Sequence, residues 1–158
     1  VHNTEVGQDY FVYVHGRGDG ISDLSLSLGA GGALVRNEDG AVNVDCGSAL
    51  PLTIDGSKTT SAATVGGEVT NVLSCGRMVY STAPGLWYNL TGNGNWITVS
   101  TCATTSGFDS QISVFGGSCQ TLECISGGDQ ECGDQSSVSW HSGLESNVSS
   151  LSMAGSQE

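Results

Sequence analysis

Basic residues are scarce in this chain. Four lysines and arginines stand against 16 aspartates and glutamates, which gives a formal net charge of −12 at pH 7. Nucleic-acid binding needs clustered Lys and Arg side chains on the phosphates, and anionic membrane surfaces attract the same residues. The composition therefore argues against nucleic acid and against an anionic membrane surface as partners.

Long apolar runs and helix-forming segments are also missing. The longest apolar run is Tyr10 to Val14, whereas a membrane-spanning helix needs about 20 such residues. Gly, Ser and Thr supply 60 of the 158 residues, a composition that disfavours long helices. We expect no membrane insertion, and the length favours one domain.

Cysteine is present in an even number, which in a chain poor in Lys and rich in Gly, Ser and Thr is typical of an oxidising, extracellular setting. A zinc site would need two close pairs, and the only candidate pair has four residues between its members, with no nearby His to complete it. We therefore predict that all six cysteines form disulfides: Cys46, Cys75, Cys102, Cys119, Cys124 and Cys132.

Two N-x-Ser/Thr sequons agree with a secretory route. They place candidate glycosylation sites at Asn89 and Asn147. Because Asn, Ser and Thr are abundant in this chain, such sequons also arise by chance, so they corroborate the cysteine argument without adding a second one.

Apolar residues recur mostly at period two, which indicates strands with one buried face. Tyr10 to Val14 is apolar on both faces and predicts a central strand, while Leu24 to Leu28 alternates strictly with serine. The Gly-rich segment 15–20 between them predicts a hairpin. Many short strands separated by turn signals indicate an all-β antiparallel sandwich. Further strands are predicted at Val42 to Val44, Leu50 to Ile54, Leu86 to Leu90, Trp96 to Thr101, Gln111 to Phe115 and Val138 to Trp140.

A longer ordered string of motifs resembles the pre-peptidase C-terminal domain family, secreted jelly-roll-like β-sandwiches that occur as appended or repeated units. The resemblance implies a jelly-roll-like sandwich stapled by disulfides, paired as Cys46 with Cys75, Cys102 with Cys132 and Cys119 with Cys124. It is carried by Asp45-Cys46, Ser74-Cys75-Gly76, Thr82 to Tyr88, Ile97 to Cys102, Phe108 to Phe115, Gly117-Ser118-Cys119, Leu122-Glu123-Cys124 and Cys132 to Trp140.

In that family a Tyr-rich strand and a final alternating strand follow the segment that ends at Trp140. Here the matching pair stands at the N-terminus, which divides the chain into residues 1–30, the strand pair, and 31–158, the sandwich. Three readings stay open: the pair belongs to an upstream domain, it folds back into its own chain by circular permutation, or it is donated to a neighbouring unit. The candidate assembly residues are Tyr10, Val12, Val14, Leu24, Leu26 and Leu28.

The remaining motifs have simpler explanations. The tripeptide Arg17-Gly18-Asp19 matches an adhesion motif, but turn chemistry accounts for its Gly and Asp. A weak calcium site is a further candidate, although a solvated acidic loop explains its carboxylates and the twelve-residue loop pattern is absent. Its candidate ligands are Asp109, Asp129, Glu131 and Asp134.

Catalytic motifs are not recognisable, since none of His2, His15 and His141 stands in a nucleophile or metal motif. Four aromatic residues could form a sugar-stacking platform, although aromatic residues in strands more often belong to the core. These are Trp87, Tyr88, Trp96 and Trp140.

The sequence therefore predicts a non-enzymatic, extracellular structural repeat or protomer of a fibre or cell-surface appendage, assembled with identical or homologous units by strand complementation. A carbohydrate- or protein-binding accessory module is the alternative.

Overall fold

The computed structural model describes residues 5–16, 23–28, 34–37, 43–54, 58–62, 75–76, 85–102 and 109–143. Helix is almost absent from these residues, as the Gly, Ser and Thr content predicts, and a single 3₁₀ turn spans Cys46–Ser48. The strands are β1 Asp9–Gly16, β2 Asp23–Leu28, β3 Leu34–Asn37, β4 Leu50–Pro51, β5 Lys58–Ala62, β6 Gly85–Thr91, β7 Trp96–Ser100, β8 Ser110–Ser118, β9 Thr121–Asp129 and β10 Ser137–His141.

The strands form two five-stranded sheets. Sheet A has the order β4-β6-β1-β8-β9, and sheet B has the order β10-β7-β2-β5-β3. Most neighbours are antiparallel, as predicted, but the edge pairs β4–β6 and β3–β5 are parallel. Parallel neighbours need a long crossover connection, and both pairs are separated by enough chain to provide one. The all-β class is confirmed, whereas the jelly-roll topology stays a prediction.

One hydrophobic core lies between the sheets, because alternate residues of each strand point inward. Tyr10 of sheet A meets Trp140 of sheet B with their ring centroids 5.6 Å apart. The buried members of this core are Tyr10, Val12, Val14, Leu26, Leu52, Leu86, Tyr88, Leu90, Ile97, Val99, Ile112, Val114, Val138 and Trp140.

A second apolar cluster covers the outer face of sheet A. Tyr13 lies beside Trp87, with their ring centroids 4.7 Å apart, and Trp87 in turn lies beside Phe115. Partly buried residues of the 43–49 segment and of β9 pack against these rings. Sheet A is therefore apolar on both faces, which explains why β1 has no alternation of polar and apolar residues.

All six cysteines form disulfides, but two of the three predicted pairings are wrong. Cys102 bonds to Cys132 as predicted, whereas Cys46 bonds to Cys119 and Cys75 bonds to Cys124. Cys119 lies in the two-residue turn of the β8–β9 hairpin, and Cys124 lies further along β9 opposite Phe115. Because Cys119 and Cys124 lie at different positions along the hairpin, they bond to two different segments that cross the outer face of sheet A.

The predicted β1–β2 hairpin is wrong, because the two strands lie in different sheets. β1 occupies the centre of sheet A between β6 and β8, and β2 occupies the centre of sheet B between β5 and β7. The pair thus completes the sheets of its own chain, the arrangement expected from the fold-back reading. Three strands were not predicted, namely β3, β5 and β9, and residues 43–44 are not in a strand although Val42 to Val44 was predicted as one.

Candidate functional site

The site with the most distinctive geometry is the position that β1 fills in sheet A. Its seven-residue register with β6 runs from Asp9 opposite Thr91 to His15 opposite Gly85, and its register with β8 runs from Tyr10 opposite Gly116 to Gly16 opposite Ser110. Both neighbours belong to the second half of the chain. Removing β1 would therefore open sheet A between two strands and leave both with unpaired backbone groups.

The candidate assembly residues of β1 lie on its inner face. Tyr10, Val12 and Val14 are at most 1% exposed and belong to the core between the sheets. The outer face of the strand carries Tyr13, also buried, so both faces of β1 are held by apolar contacts.

The second strand of the pair contributes Leu26 to the same core, at 1% exposure. Leu24 lies at the register position opposite Ser61, and Leu28 lies opposite Val99. The described residues therefore place the whole pair at the centre of the sandwich, with one strand in each sheet.

The four predicted platform aromatics do not share a face. Trp87 lies in the outer cluster of sheet A, whereas Tyr88 and Trp140 lie in the core between the sheets, and all three are nearly inaccessible. Burial of their large apolar surface explains this placement. Only Trp96 is exposed, with 70% of its surface accessible.

Trp96 lies at one end of a row of side chains on the outer face of sheet B, and the other members of the row are polar. On the paired strands β7 and β10, Trp96 stands opposite His141 and Thr98 stands opposite Ser139. The indole and imidazole rings meet edge to face at 5.6 Å, and the two hydroxyls are hydrogen-bonded at 2.8 Å. These four residues were not predicted to lie together, although the alternation of apolar and polar residues in both strands was a usable signal.

The acidic residues proposed for calcium organise a loop. The Glu131 carboxylate accepts hydrogen bonds from the backbone N–H groups of Asp129 and Ser137, each at 3.1 Å. The backbone carbonyl of Asp134 accepts from Ser110 N–H at 2.8 Å, and Asp109 directly precedes β8. Within the described part of the chain, no three Asp, Glu, His or Cys side chains converge on a point that could hold a metal ion. Calcium binding stays a prediction.

The sequon residue Asn89 lies in the middle of β6. It is paired with Phe11 and Pro51, its backbone carbonyl accepts from Leu52 N–H at 2.7 Å, and its side-chain oxygen is buried. A glycan on this residue would compete with the close packing of that strand. Asn147 lies outside the described residues, as does the tripeptide at 17–19, so glycosylation stays a prediction at both sequons.

His15 is a buried histidine on the outer side of β1. Its Nδ1 donates to the Gly16 carbonyl at 2.9 Å, and its ring lies beside Tyr13. Burial lowers the pKa of His15 below its usual value of 6.5, while the Gly16 hydrogen bond and the charge of Asp129 oppose that shift.

A buried hydroxyl cluster lies next to the Cys102–Cys132 disulfide. Thr101 Oγ1 is 2.6 Å from Ser110 Oγ and accepts from Ser136 N–H at 2.9 Å. These residues connect the end of β7, the start of β8 and the loop before β10. Their hydrogen bonds are internal, which indicates a structural role.

No segment in the described ranges forms a helix long and apolar enough to cross a membrane. The three disulfides fit an extracellular protein. Comparisons of the chain with protein-family models, with curated proteins and with solved structures find no match. The resemblance to the pre-peptidase C-terminal domain family therefore stays a prediction.

Proposed function

We propose that this chain is a non-catalytic structural unit of an extracellular fibre or surface appendage, and that its units join by exchanging the β1–β2 strand pair. The observation that supports this most is the position of β1. The first strand in the sequence is buried on both faces between β6 and β8, two strands from the second half of the chain.

Exchange between units would preserve the contacts of that position. A β1 strand from a second copy would form the same hydrogen bonds to β6 and β8 and bury the same side chains, so no new interface has to evolve. The alternation of Tyr10, Val12 and Val14 toward the core would fix its register, because a shift by one residue would turn these side chains outward.

The sequence between β2 and β3 has the composition of a linker, which exchange of the strand pair requires. Residues 29–33, between β2 and β3, read Gly-Ala-Gly-Gly-Ala, a composition found in linkers between structural units. A unit that gives its strand pair to one neighbour and accepts a pair from another makes contacts that do not close on themselves, and such contacts generate filaments.

The charge predicts how assembly responds to salt. Units of net charge −12 repel one another, and added salt screens that repulsion. Assembly should therefore become weaker as ionic strength falls.

A competition experiment tests the exchange. The full chain, with its disulfides intact, is unfolded in guanidinium chloride and refolded at increasing concentration, and the mass of the products is measured by size-exclusion chromatography with light scattering. We expect masses that are multiples of 16.1 kDa and that increase with protein concentration. Refolding with excess peptide of residues 1–28 should fill the β1 position and cap the assemblies.

The matched control is the same peptide with Val12→Asp, because Val12 is fully buried opposite Tyr88 and Val114 and a carboxylate there would be desolvated without a partner. This peptide should not cap. Products that are monomeric at every concentration, or assemblies that both peptides affect equally, would contradict strand exchange.

A self-contained accessory module that binds carbohydrate or protein is the second candidate function. It is favoured by β1 completing its own chain and by the exposed Trp96.

A further inference from the structure

We propose that the outer face of β7 and β10 binds a neutral oligosaccharide, with Trp96 as the stacking surface and the hydroxyls of Thr98 and Ser139 as hydrogen-bonding partners. This site does not depend on strand exchange, because none of its residues belongs to β1 or β2. It makes the second candidate function specific to one surface and one class of ligand.

The geometry of Trp96 fits a stacking role. Exposing an indole to water costs free energy that burial against a ligand would recover, and 70% of this side chain is accessible. His141 meets it edge to face at an interplanar angle of 89°, which supports the indole from the neighbouring strand. Since Nδ1 of His141 accepts from Gly143 N–H, Nε2 is the ring nitrogen that carries a proton and can donate to a ligand.

The hydroxyl pair lies next along the same two strands. Thr98 and Ser139 are two residues from Trp96 and His141, and two residues of a strand cover about 6.8 Å. Their hydroxyls are exposed and bonded to each other at 2.8 Å, so they can donate to and accept from the hydroxyls of a second sugar ring. A ligand that reaches both positions needs at least two rings.

Charge selects a neutral ligand. The four basic residues of the chain are Arg17, Arg36, Lys58 and Arg77, and none of them is in β7 or β10. Arg36 and Lys58 belong to β3 and β5, which β2 separates from β7 and β10 in sheet B. A sulfated or uronic-acid glycan would therefore find no Lys or Arg in these strands and would be repelled by the net charge of −12.

Titration of the full chain with cellohexaose, chitohexaose, laminarihexaose and heparin tests the proposal, with calorimetry as the measure of affinity. Tryptophan emission gives a second readout, since Trp87 and Trp140 are buried and Trp96 is the accessible indole. We expect saturable binding of at least one neutral hexasaccharide and no binding of heparin.

Variants separate the roles. Trp96→Ala should lower the affinity by about tenfold or more and Trp96→Phe should lower it less, while Thr98→Val and Ser139→Ala should each lower it about threefold. Ile54→Ala removes another exposed apolar side chain, 38% accessible and located just after β4, and should bind as the unmodified chain does. Circular dichroism establishes that each variant is folded.

Several results would overturn the proposal. They are the absence of binding to every neutral hexasaccharide, equal binding by Trp96→Ala, or preferential binding of heparin. If Trp96→Ala instead reduces self-association and no sugar binds, the residue lies in a contact between copies. Strand exchange would still stand or fall separately, through the competition with the peptide of residues 1–28.

Discussion

At Gly127 one segment of the backbone packs directly on another. This contact determines whether Gly127→Ala raises or lowers the free energy of unfolding. The segment of Cys75 and Gly76 runs directly over β9, and a Cβ on Gly127 would lie 2.8 Å from the Cys75 carbonyl carbon and closer still to its oxygen. In an open strand, replacing Gly by Ala stabilises by about 0.5–1 kcal/mol. Here Gly127→Ala should destabilise by about 1–3 kcal/mol, because the added methyl group meets backbone.

The Cys75–Cys124 disulfide determines the size of this effect, because it keeps the crossing segment on β9. Guanidinium unfolding followed by tryptophan fluorescence measures the free energy of unfolding of Gly127→Ala and of the control Gly47→Ala. Gly47 is exposed, and a Cβ there would meet only the Asp45 carboxylate, at 3.3 Å, so its change should be within about 0.5 kcal/mol.

A double-mutant cycle isolates the contact. When both cysteines of this disulfide are replaced by serine, the crossing segment can move away, and the cost of Gly127→Ala should shrink. A stabilising or neutral effect of Gly127→Ala in the oxidised chain would refute the crossing.

Two further predictions concern buried polar groups. Thr101→Val keeps the shape of the side chain but removes the acceptor of Ser136 N–H, so the free energy of unfolding should fall by about 1–3 kcal/mol, whereas the exposed Thr98→Val should change it by less than about 0.5 kcal/mol. Because the pKa of His15 is lowered in the folded state, the unfolded chain binds a proton first as the pH falls below 6.5, and the folded state loses up to about 1.4 kcal/mol per pH unit. His15→Gln should flatten the pH dependence of denaturant unfolding between pH 7.5 and 5.5; an unchanged slope would exclude this origin.

Strands with a simple period of apolar residues can be predicted from the sequence. The strand β9 could not be predicted in this way. A β-bulge between Val114 and Phe115 shifts the register of the hairpin, so Leu122 and Cys124 pack on the outer cluster while Ile125 packs on the main core. Apolar residues on both sides of a bulged strand do not alternate, and no period-two pattern remains to be read.

The predictions of individual sites succeed or fail for similar reasons. Cysteine participation follows from composition, but pairing depends on which segments cross the outer face of sheet A, and that is a tertiary property. Aromatic residues adjacent in sequence, such as Trp87 and Tyr88, fall on opposite faces of β6. Trp96 and the buried Ile97 lie on opposite faces of β7, and which of the two faces is covered is again a tertiary property.

The distribution of the crosslinks has a consequence for how the chain would respond to tension. The disulfides join residues between Cys46 and Cys132, and neither β1 nor β2 contains a cysteine. A force applied through the N-terminus could therefore extract both central strands without breaking a covalent bond. Once β3 is also released from β5, the 45 residues before Cys46 would extend to about 150 Å, while the crosslinked body beyond them stayed short. Such a chain would lengthen by releasing noncovalent contacts first and would keep its remaining sheets tied together for the strands to return.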